Sequence, residues 1–315
     1  MAKQPPIRIG TRASLLAQTQ SRQIQALIAA AISSPRTRPN VAAPLVLITT
    51  SGDRIQDRRL LEAGGKGLFV KELEEALLDG RIDCAVHSMK DVPAELPAGL
   101  VIGAIPQRED PRDAVICRSA KGLGDLPPGA RLGTASLRRQ AQALHLRSDL
   151  KIEMLRGNVD TRLRRLKQGD FDAIILAMAG LNRLGLQAQV TEALDPVQAP
   201  PAPGQGALAL QVRAEDTGAP WLAALHHAPT ALAVAAERGA LEALEGSCRS
   251  AIGAYARVEG GRLALTVEAL TPEGAQRFRR EGGLEAAATD ALAHDLGLRL
   301  GREIRQEAGD LIVWS

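Results

Sequence analysis

Aromatic side chains are nearly absent: three Phe, two Trp and one Tyr make up 2% of the 315 residues. So few rings, thinly spread, offer a poor stacking surface for single-stranded nucleic acid, and the core must be built mostly from Leu, Ile, Val and Ala. Cysteine is scarce as well. Cys84, Cys117 and Cys248 are odd in number, far apart and free of any CxxC or Cys/His ligand spacing, which argues against a disulfide scaffold or a metal site. Free thiols fit a reducing compartment. No apolar run is long enough to span a bilayer, and Met1 to Pro6 hold no apolar signal core, so a soluble cytoplasmic protein without membrane contact is expected. Excess charge is also missing, since 39 Lys+Arg against 36 Asp+Glu leave a net +3, too mild to imply nucleic acid. What is there is an ordinary apolar fraction of 45%, enough for a real core in about two domains, or three small ones.

The first part of the chain reads as alternating strands and helices. Short apolar runs at 7–10, 45–49, 82–86 and 100–104 do not alternate, as in strands covered on both faces. Ile24, Leu27, Ile28 and Ala31 fall at i, i+3, i+4, i+7 and predict a helix after Thr11-Arg12-Ala13-Ser14, with Ser14 as its cap. A second helix is expected over 68–79. From 113 to 186 the theme returns: Arg131-Leu132-Gly133-Thr134-Ala135-Ser136 echoes Arg8-Ile9-Gly10-Thr11-Arg12-Ala13-Ser14. A strand over 152–155, a helix over 159–167 and a strand over 172–177 follow. Two similar α/β lobes are the economical reading. Proline-bearing stretches at 106–111 and 196–203 read as crossings between the lobes, with a cleft between them.

Past 229 the texture changes. An Ala/Leu/Glu helix to 245, a hairpin of 254–258 and 263–270 through Glu259-Gly260-Gly261-Arg262, and a last helix over 284–307 predict a small α+β domain. The expected division is 1–106 with 204–224 as lobe 1, 107–203 as an inserted lobe 2, and 225–315 as the C-terminal domain.

Several residues could carry chemistry. Ser14 and Ser136 read first as helix caps, yet Arg12 beside one turn and Arg138 and Arg139 beside the other oppose the helix dipole and ask for an anion. Asp91, after a buried strand in His87-Ser88-Met89-Lys90-Asp91-Val92-Pro93, sits where open α/β sheets bind ligands. It could serve as an acid/base group or a cation stabiliser, or pair with Lys90 at the surface. His87 reads as a structural hydrogen-bonder. Arg156 directly follows a strand, a poor place for a merely solvated charge, whereas spacing alone makes Arg164 and Arg165 a solvated face. Gly64-Gly65-Lys66-Gly67 lacks the spacing of a nucleotide-binding loop. Cys84 lies in an apolar strand and reads as inert. Cys248, among Gly, Ser and Arg, is placed where a thiolate is favoured.

Read together with Gly133-Thr134-Ala135-Ser136-Leu137-Arg138-Arg139-Gln140, Arg156-Gly157-Asn158-Val159-Asp160-Thr161-Arg162, Pro203-Gly204-Gln205-Gly206-Ala207 and Glu245-Gly246-Ser247-Cys248, these segments resemble the porphobilinogen deaminase (hydroxymethylbilane synthase) family in its own order, over nearly the whole chain. The resemblance implies two lobes like those of periplasmic binding proteins flanking a cleft, a third domain bearing the cysteine, and a monomer. It implies a dipyrromethane cofactor, made from two porphobilinogen units and carried on Cys248. Four further units are then added head to tail, each losing ammonia, before hydrolytic release. By motif position Asp91 becomes the catalytic carboxylate. Lys90, Thr134, Ser136, Arg138 and Arg139 become cofactor-binding, and Arg12, Ser14, Lys66, Arg156, Asn158, Arg162, Arg183 and Gln205 substrate-binding.

The chemistry agrees with the resemblance. Each pyrrole carries an acetate and a propionate, which suit arginine's planar, permanently charged fork. Loss of ammonia leaves an azafulvenium-type cation that a carboxylate near the pyrrole N–H stabilises. An anchoring cysteine needs no histidine partner. Glu62, where some members have lysine, and Ser247, in place of a frequent glycine, depart from the family pattern. Two other classes stay open at this level: a non-catalytic two-lobed anion-binding protein, which the fold alone permits, and a nucleic-acid binder, which would need strongly salt-dependent affinity.

Overall fold

The computed structural model describes residues 5–32, 38–50, 70–93, 95–244, 251–285 and 287–312. Internal contacts divide the chain into two units, Met1–Arg108 with Ala207–Ala228, and Glu109–Gly206 with Pro229–Ser315.

Unit 1 is built around a sheet of β1 (Ile9–Thr11), β2 (Leu45–Leu47), β3 (Cys84–Ser88), β4 (Leu100–Ala104) and β10 (Leu208–Arg213), in the order β2-β1-β3-β10-β4. β1 is parallel to β2 and β3, whereas β10 is antiparallel to β3 and β4. Both faces are covered, which is why the strands read as continuous apolar runs. On one face Cys84 and Val86 pack with Ile24 and Ile28 of α1 (Leu15–Ile32) and with Trp221 and Leu222 of a later helix. On the other, Ala85 meets Leu73, Ala76 and Leu77 of the helix Lys71–Leu78. The buried stripe of α1 runs Gln20, Ser21, Ile24, Ile28 and Ala29, while Leu27 of the expected stripe is left 47% exposed. The single-turn α2 (Pro39–Ala42) precedes β2, so the helix Lys71–Leu78 is α3.

Unit 2 holds a second sheet of the same design. β5 (Asp113–Cys117), β6 (Arg131–Gly133), β7 (Lys151–Glu153), β8 (Ala173–Ala177) and β9 (Glu192–Ala193) stand in the order β7-β6-β8-β5-β9. Here β6 is parallel to β7 and β8, and β5 is antiparallel to β8 and β9. In each sheet the antiparallel strand is the one that a crossing delivers: β5 follows the outgoing crossing and β10 the returning one. The sequence echo between 8–14 and 131–136 is therefore an echo of topology. Helices α4 (Leu137–Leu146), α5 (Val159–Gln168) and α6 (Met178–Arg183) follow β6, β7 and β8.

The rest of unit 2 is an antiparallel sheet of β11 (Ala251–Glu259), β12 (Arg262–Leu270) and β13 (Arg277–Glu285). It shares a core with α8 (Ala228–Ala243) and α9 (Asp290–Ala308), counting Pro220–Leu225 of unit 1 as α7. Gly260 and Gly261, at φ 55° and 77°, form the β11–β12 turn, a conformation that needs glycine. β13 was not expected. Its sequence, Arg277-Phe278-Arg279-Arg280-Glu281, shows no apolar alternation because it is an edge strand, and charge blunts such edges. The last helix starts at Asp290 rather than 284, since 284–285 complete β13 and Thr289 caps the helix by accepting from the Leu292 amide.

Candidate active site

In unit 1 the functional candidates follow the carboxyl ends of β1 and β3, which are paired neighbours. Arg12 and Ser14 come directly after β1, and Ser14 Oγ accepts from the Ala17 amide at 3.3 Å, capping α1. After β3 a single 3-10 turn, Met89–Asp91, carries Lys90 and Asp91, both half-buried. Gln20 of α1 donates to Ser88 Oγ at 2.9 Å, fixing this strand end to the helix. His87 lies just inside it. Its Nε2 is 2.9 Å from Gln211 Oε1, and Gln211 Nε2 donates to Glu74 Oε1 at 3.0 Å. Because the Gln211 amide nitrogen faces Glu74, its oxygen faces His87, so His87 Nε2 carries the hydrogen. Burial pushes the imidazole down to about 4; the Gln211 hydrogen bond and the Asp91 charge oppose this, and Arg12 adds to it. His87 is thus a neutral, fixed wall beside Arg12 and Asp91, as the sequence suggested.

In unit 2 the candidates follow the carboxyl ends of β6, β7 and β8. Thr134 Oγ1 accepts from the Ser136 amide, and Ser136 Oγ caps α4 by accepting from the Arg139 amide. Arg138 and Arg139 are not on a solvated face, being 5% and 7% exposed. Both converge on Asp113, a fully buried carboxylate at the start of β5. Arg138 Nη1 reaches Oδ2 at 2.6 Å, and Arg139 Nη2 and Nε reach Oδ1 at 2.7 and 3.1 Å. Burial works to raise the Asp113 pKa and is outweighed by these two charges and their hydrogen bonds, so the group stays ionised well below the usual carboxylate range. Two guanidiniums on one carboxylate leave positive charge at the N-terminus of α4, an end that already favours an anion.

Arg156, Asn158 and Arg162 extend this positive surface. Asn158 caps α5 by accepting from the Thr161 amide at 2.9 Å, and Arg162 Nε donates to the Gly157 carbonyl at 2.8 Å. Gly157 has φ 106°, and an added Cβ there would press on Thr161, so the bend that brings Arg156 and Arg162 together requires glycine. Burial and the neighbouring charges of Arg139 and Arg156 push the Arg162 guanidinium down to about 10. A guanidinium so affected sits in a field that calls for anions.

Arg183 and Gln205 lie by the crossing. Arg183 Nη2 donates to the Gly206 carbonyl at 2.8 Å, while its buried Nε has no hydrogen-bond partner among the described residues. Gln205 is 1% exposed and its amide donates to the carbonyls of Pro111 and Arg112 and to Asp113 Oδ1, at 2.8, 3.3 and 2.9 Å, tying the two crossing strands together. A group held in this way supports the crossing. Lys66 and Cys248 lie outside the described residues, as do Glu62 and Ser247. Asp113, Gln142 and Glu268 were missed in the sequence. The only trace of Asp113 there is an acid placed directly before four apolar strand residues.

Comparisons with known proteins complete the description. The family model "Porphobilinogen deaminase, dipyromethane cofactor binding domain" matches residues 7–219, and that of the porphobilinogen deaminase C-terminal domain matches 231–306. A Caulobacter vibrioides protein named porphobilinogen deaminase is 63% identical over 319 residues, covering 99% of each chain. The proteins so named from Phenylobacterium zucineum and Syntrophobacter fumaroxidans are 61% and 48% identical, covering 99% and 93% of this chain and 100% and 94% of their own. Among solved structures, a periplasmic substrate-binding protein of an ABC transporter from Coxiella burnetii aligns over 74% of this chain and 96% of its own, at 17% identity and a TM-score of 0.43.

Proposed function

The chain belongs to the porphobilinogen deaminase family, and from that premise we propose how its residues perform the reaction. It is a transferase that joins four porphobilinogen units head to tail, with loss of ammonia, onto a covalently held dipyrromethane and releases hydroxymethylbilane. Membership at this identity over the full length disfavours a non-catalytic anion-binding protein.

The observation that carries the reading is the gathering of guanidiniums in unit 2, where one carboxylate, Asp113, receives both Arg138 and Arg139, and Arg162 feels the charges of Arg139 and Arg156. Such a surface fits a cofactor and product whose every ring brings two carboxylates. When bound, dipyrromethane supplies the pyrrole terminus that is extended. Arg138 and Arg139 hold its carboxylates, helped by Lys90 and by Thr134 and Ser136, whose hydroxyls keep an O–H donor after accepting from the backbone. Arg12, Ser14, Lys66, Arg156, Asn158, Arg162 and Arg183 take the acetates and propionates of incoming units. The buried Nε of Arg183, which has no hydrogen-bond partner among the described residues, supports that role.

Asp91 stabilises the positive charge that develops on porphobilinogen as its C–N bond to ammonia breaks, accepting a hydrogen bond from the pyrrole N–H. Cys248 is the attachment point. Cys84 and Cys117 are buried free thiols whose pKa values burial raises, which suits inert core positions. Three separate sheets support the division into lobe 1 (1–106 with 204–224), lobe 2 (107–203) and a C-terminal domain (225–315). No described helix is long and apolar enough to cross a membrane; buried free thiols fit the cytoplasm, and a monomer that binds no nucleic acid completes the proposal.

The test is the intact mass of the denatured protein followed by peptide mapping. An increment of two pyrrole units on the peptide containing Cys248, absent from Cys248→Ser and kept by Cys84→Ser and Cys117→Ser, is expected. The same increment mapped to Cys84 or Cys117 would overturn the anchor.

A further inference from the structure

Arg138 does not end at Asp113. Its Nη1 also donates to Gln142 Oε1 at 2.8 Å and to the Pro200 carbonyl at 3.2 Å. Gln142, one helical turn further along α4, donates from Nε2 to Pro200 O at 2.8 Å and to Glu268 Oε1 at 2.6 Å. Glu268 is a fully buried carboxylate on β12, the central strand of the C-terminal sheet. Its Oε2 accepts from Arg277 Nε at 2.8 Å and Nη2 at 2.6 Å, and Arg277 reaches on to the Gln198 carbonyl at 2.7 Å. The result is a continuous polar chain, Asp113–Arg138–Gln142–Glu268–Arg277, running through unit 2 from β5 to β13. Around it α4 meets the C-terminal domain through Ala141, Ala251 and Leu270, and through hydrogen bonds from Gln140 and His145 to the Pro272 and Gly274 carbonyls of the β12–β13 turn at 3.2 and 2.9 Å.

The order of donors and acceptors along this chain is forced. An ionised carboxylate only accepts and a guanidinium only donates. Gln142 stands between one of each, so it must turn its NH2 toward Glu268 and its oxygen toward Arg138. Glu268 thereby dictates which end of the Gln142 amide meets Arg138. With an acceptor on each side, Asp113 and Gln142, the guanidinium has one position in which its Nη1 is satisfied.

We propose that Glu268 and Gln142 are positioning residues for the cofactor: they register Arg138, on α4, against the C-terminal sheet whose first strand begins at Ala251, three residues after Cys248. This rests on the reading that Arg138 binds the cofactor. A dipyrromethane held by a thioether at one place and by carboxylates at another needs those two holds at a fixed separation. A buried hydrogen-bonded chain from Arg138 to the central strand of that sheet fixes α4 against the sheet by directional contacts, in addition to packing.

The consequence is measurable in primer loading. Full-length apo-protein, produced in cells unable to make porphobilinogen, is mixed with porphobilinogen, and the dipyrromethane increment is followed by intact mass against time. Glu268→Gln keeps size and removes the charge. The amide so introduced offers its NH2 either to Arg277 or to Gln142, and in the second case Gln142 turns its own NH2 on Arg138. Gln142→Leu cuts the chain at its middle. Both are expected to load about 10- to 100-fold more slowly, the cost of misplacing a positioning group by about an ångström.

Val267→Ala serves as the control for lost stability. Val267 neighbours Glu268 on β12, but its side chain lies in the domain core, outside the polar chain. It is expected to load at the wild-type rate. Loading slowed as much in Val267→Ala as in Glu268→Gln would overturn the proposal, because domain stability alone would then explain the effect. Arg138→Leu separates the two levels of inference. Impaired loading there, with wild-type rates in Glu268→Gln and Gln142→Leu, removes the positioning role and leaves the cofactor role intact. Wild-type loading in Arg138→Leu removes the cofactor role itself, and the positioning role with it. Should Gln142→Leu fail to fold, Glu268→Gln carries the test.

Discussion

Replacing Asp113 with Ala removes the acceptor shared by Arg138, Arg139 and Gln205 and leaves two guanidiniums facing each other in the interior. The arginines keep what else they hold: Gln142 and the Pro200 carbonyl for Arg138, the Ile175 carbonyl for Arg139 at 3.0 Å. No acidic side chain remains among these contacts. Removing one partner of a buried ion pair costs about 3–5 kcal/mol, because the survivor is left as an uncompensated charge. Here two survivors repel each other, which places the expected loss toward the upper end. With a urea dependence of about 3 kcal/mol per molar, the unfolding midpoint should fall by roughly 1–1.7 M. Urea titrations followed by far-UV circular dichroism read this directly. The same substitution in an Arg138→Leu, Arg139→Leu background should cost far less, since no charge is then stranded. A midpoint for Asp113→Ala within about 0.3 M of wild type, a change of about 1 kcal/mol or less, would refute the argument. The pH dependence has a definite sign. Because the folded-state pKa of Asp113 is depressed, its contribution is fully present above the ordinary carboxylate value of about 4. It is lost only as pH falls through the depressed value, so acidification from pH 7 to about 4 should leave this cluster intact.

Asp91→Asn, loaded with cofactor, should turn over roughly 100-fold or more slowly with little change in binding, as expected when electrostatic stabilisation of a developing cation is removed; near-normal turnover in steady-state assays takes the role away from Asp91. His87 has a folded-state pKa lowered to about 4, so its contribution to stability is full above the unfolded value of about 6.5 and declines as pH falls from there through about 4. His87→Gln, which can still bond Gln211, should flatten that part of the curve of urea midpoint against pH, and an unchanged slope rules the residue out as its source.

The sequence by itself determined much of this protein. A strand covered on both faces is apolar at successive positions, so 173–177 was legible as a strand without partners in view. The Gly-Thr-x-Ser echo gave away the repeated lobe, because a strand end, a tight turn and a helix cap impose the same local chemistry wherever they recur. Ser14 and Ser136 were legible as helix caps too, since capping is local. β13 was not, because an edge strand needs no apolar alternation, and its place is set by pairing with β12. Nor was the direction of β5 and β10, which depends on the crossing that delivers each into its sheet.

What only the tertiary structure decided is where charges end up. In the sequence Arg138, Arg139, Asp113 and Glu268 are four unrelated ions, and nothing local says which of them will meet. Folding brings Asp113 to Arg138 across 25 positions and Glu268 to Gln142 across 126. It likewise brings the Gln205 amide to Asp113 across 92 positions. Hydrogen-bond partners of buried polar groups are chosen by burial, which forbids leaving them unmet, and burial is a property of the packed chain.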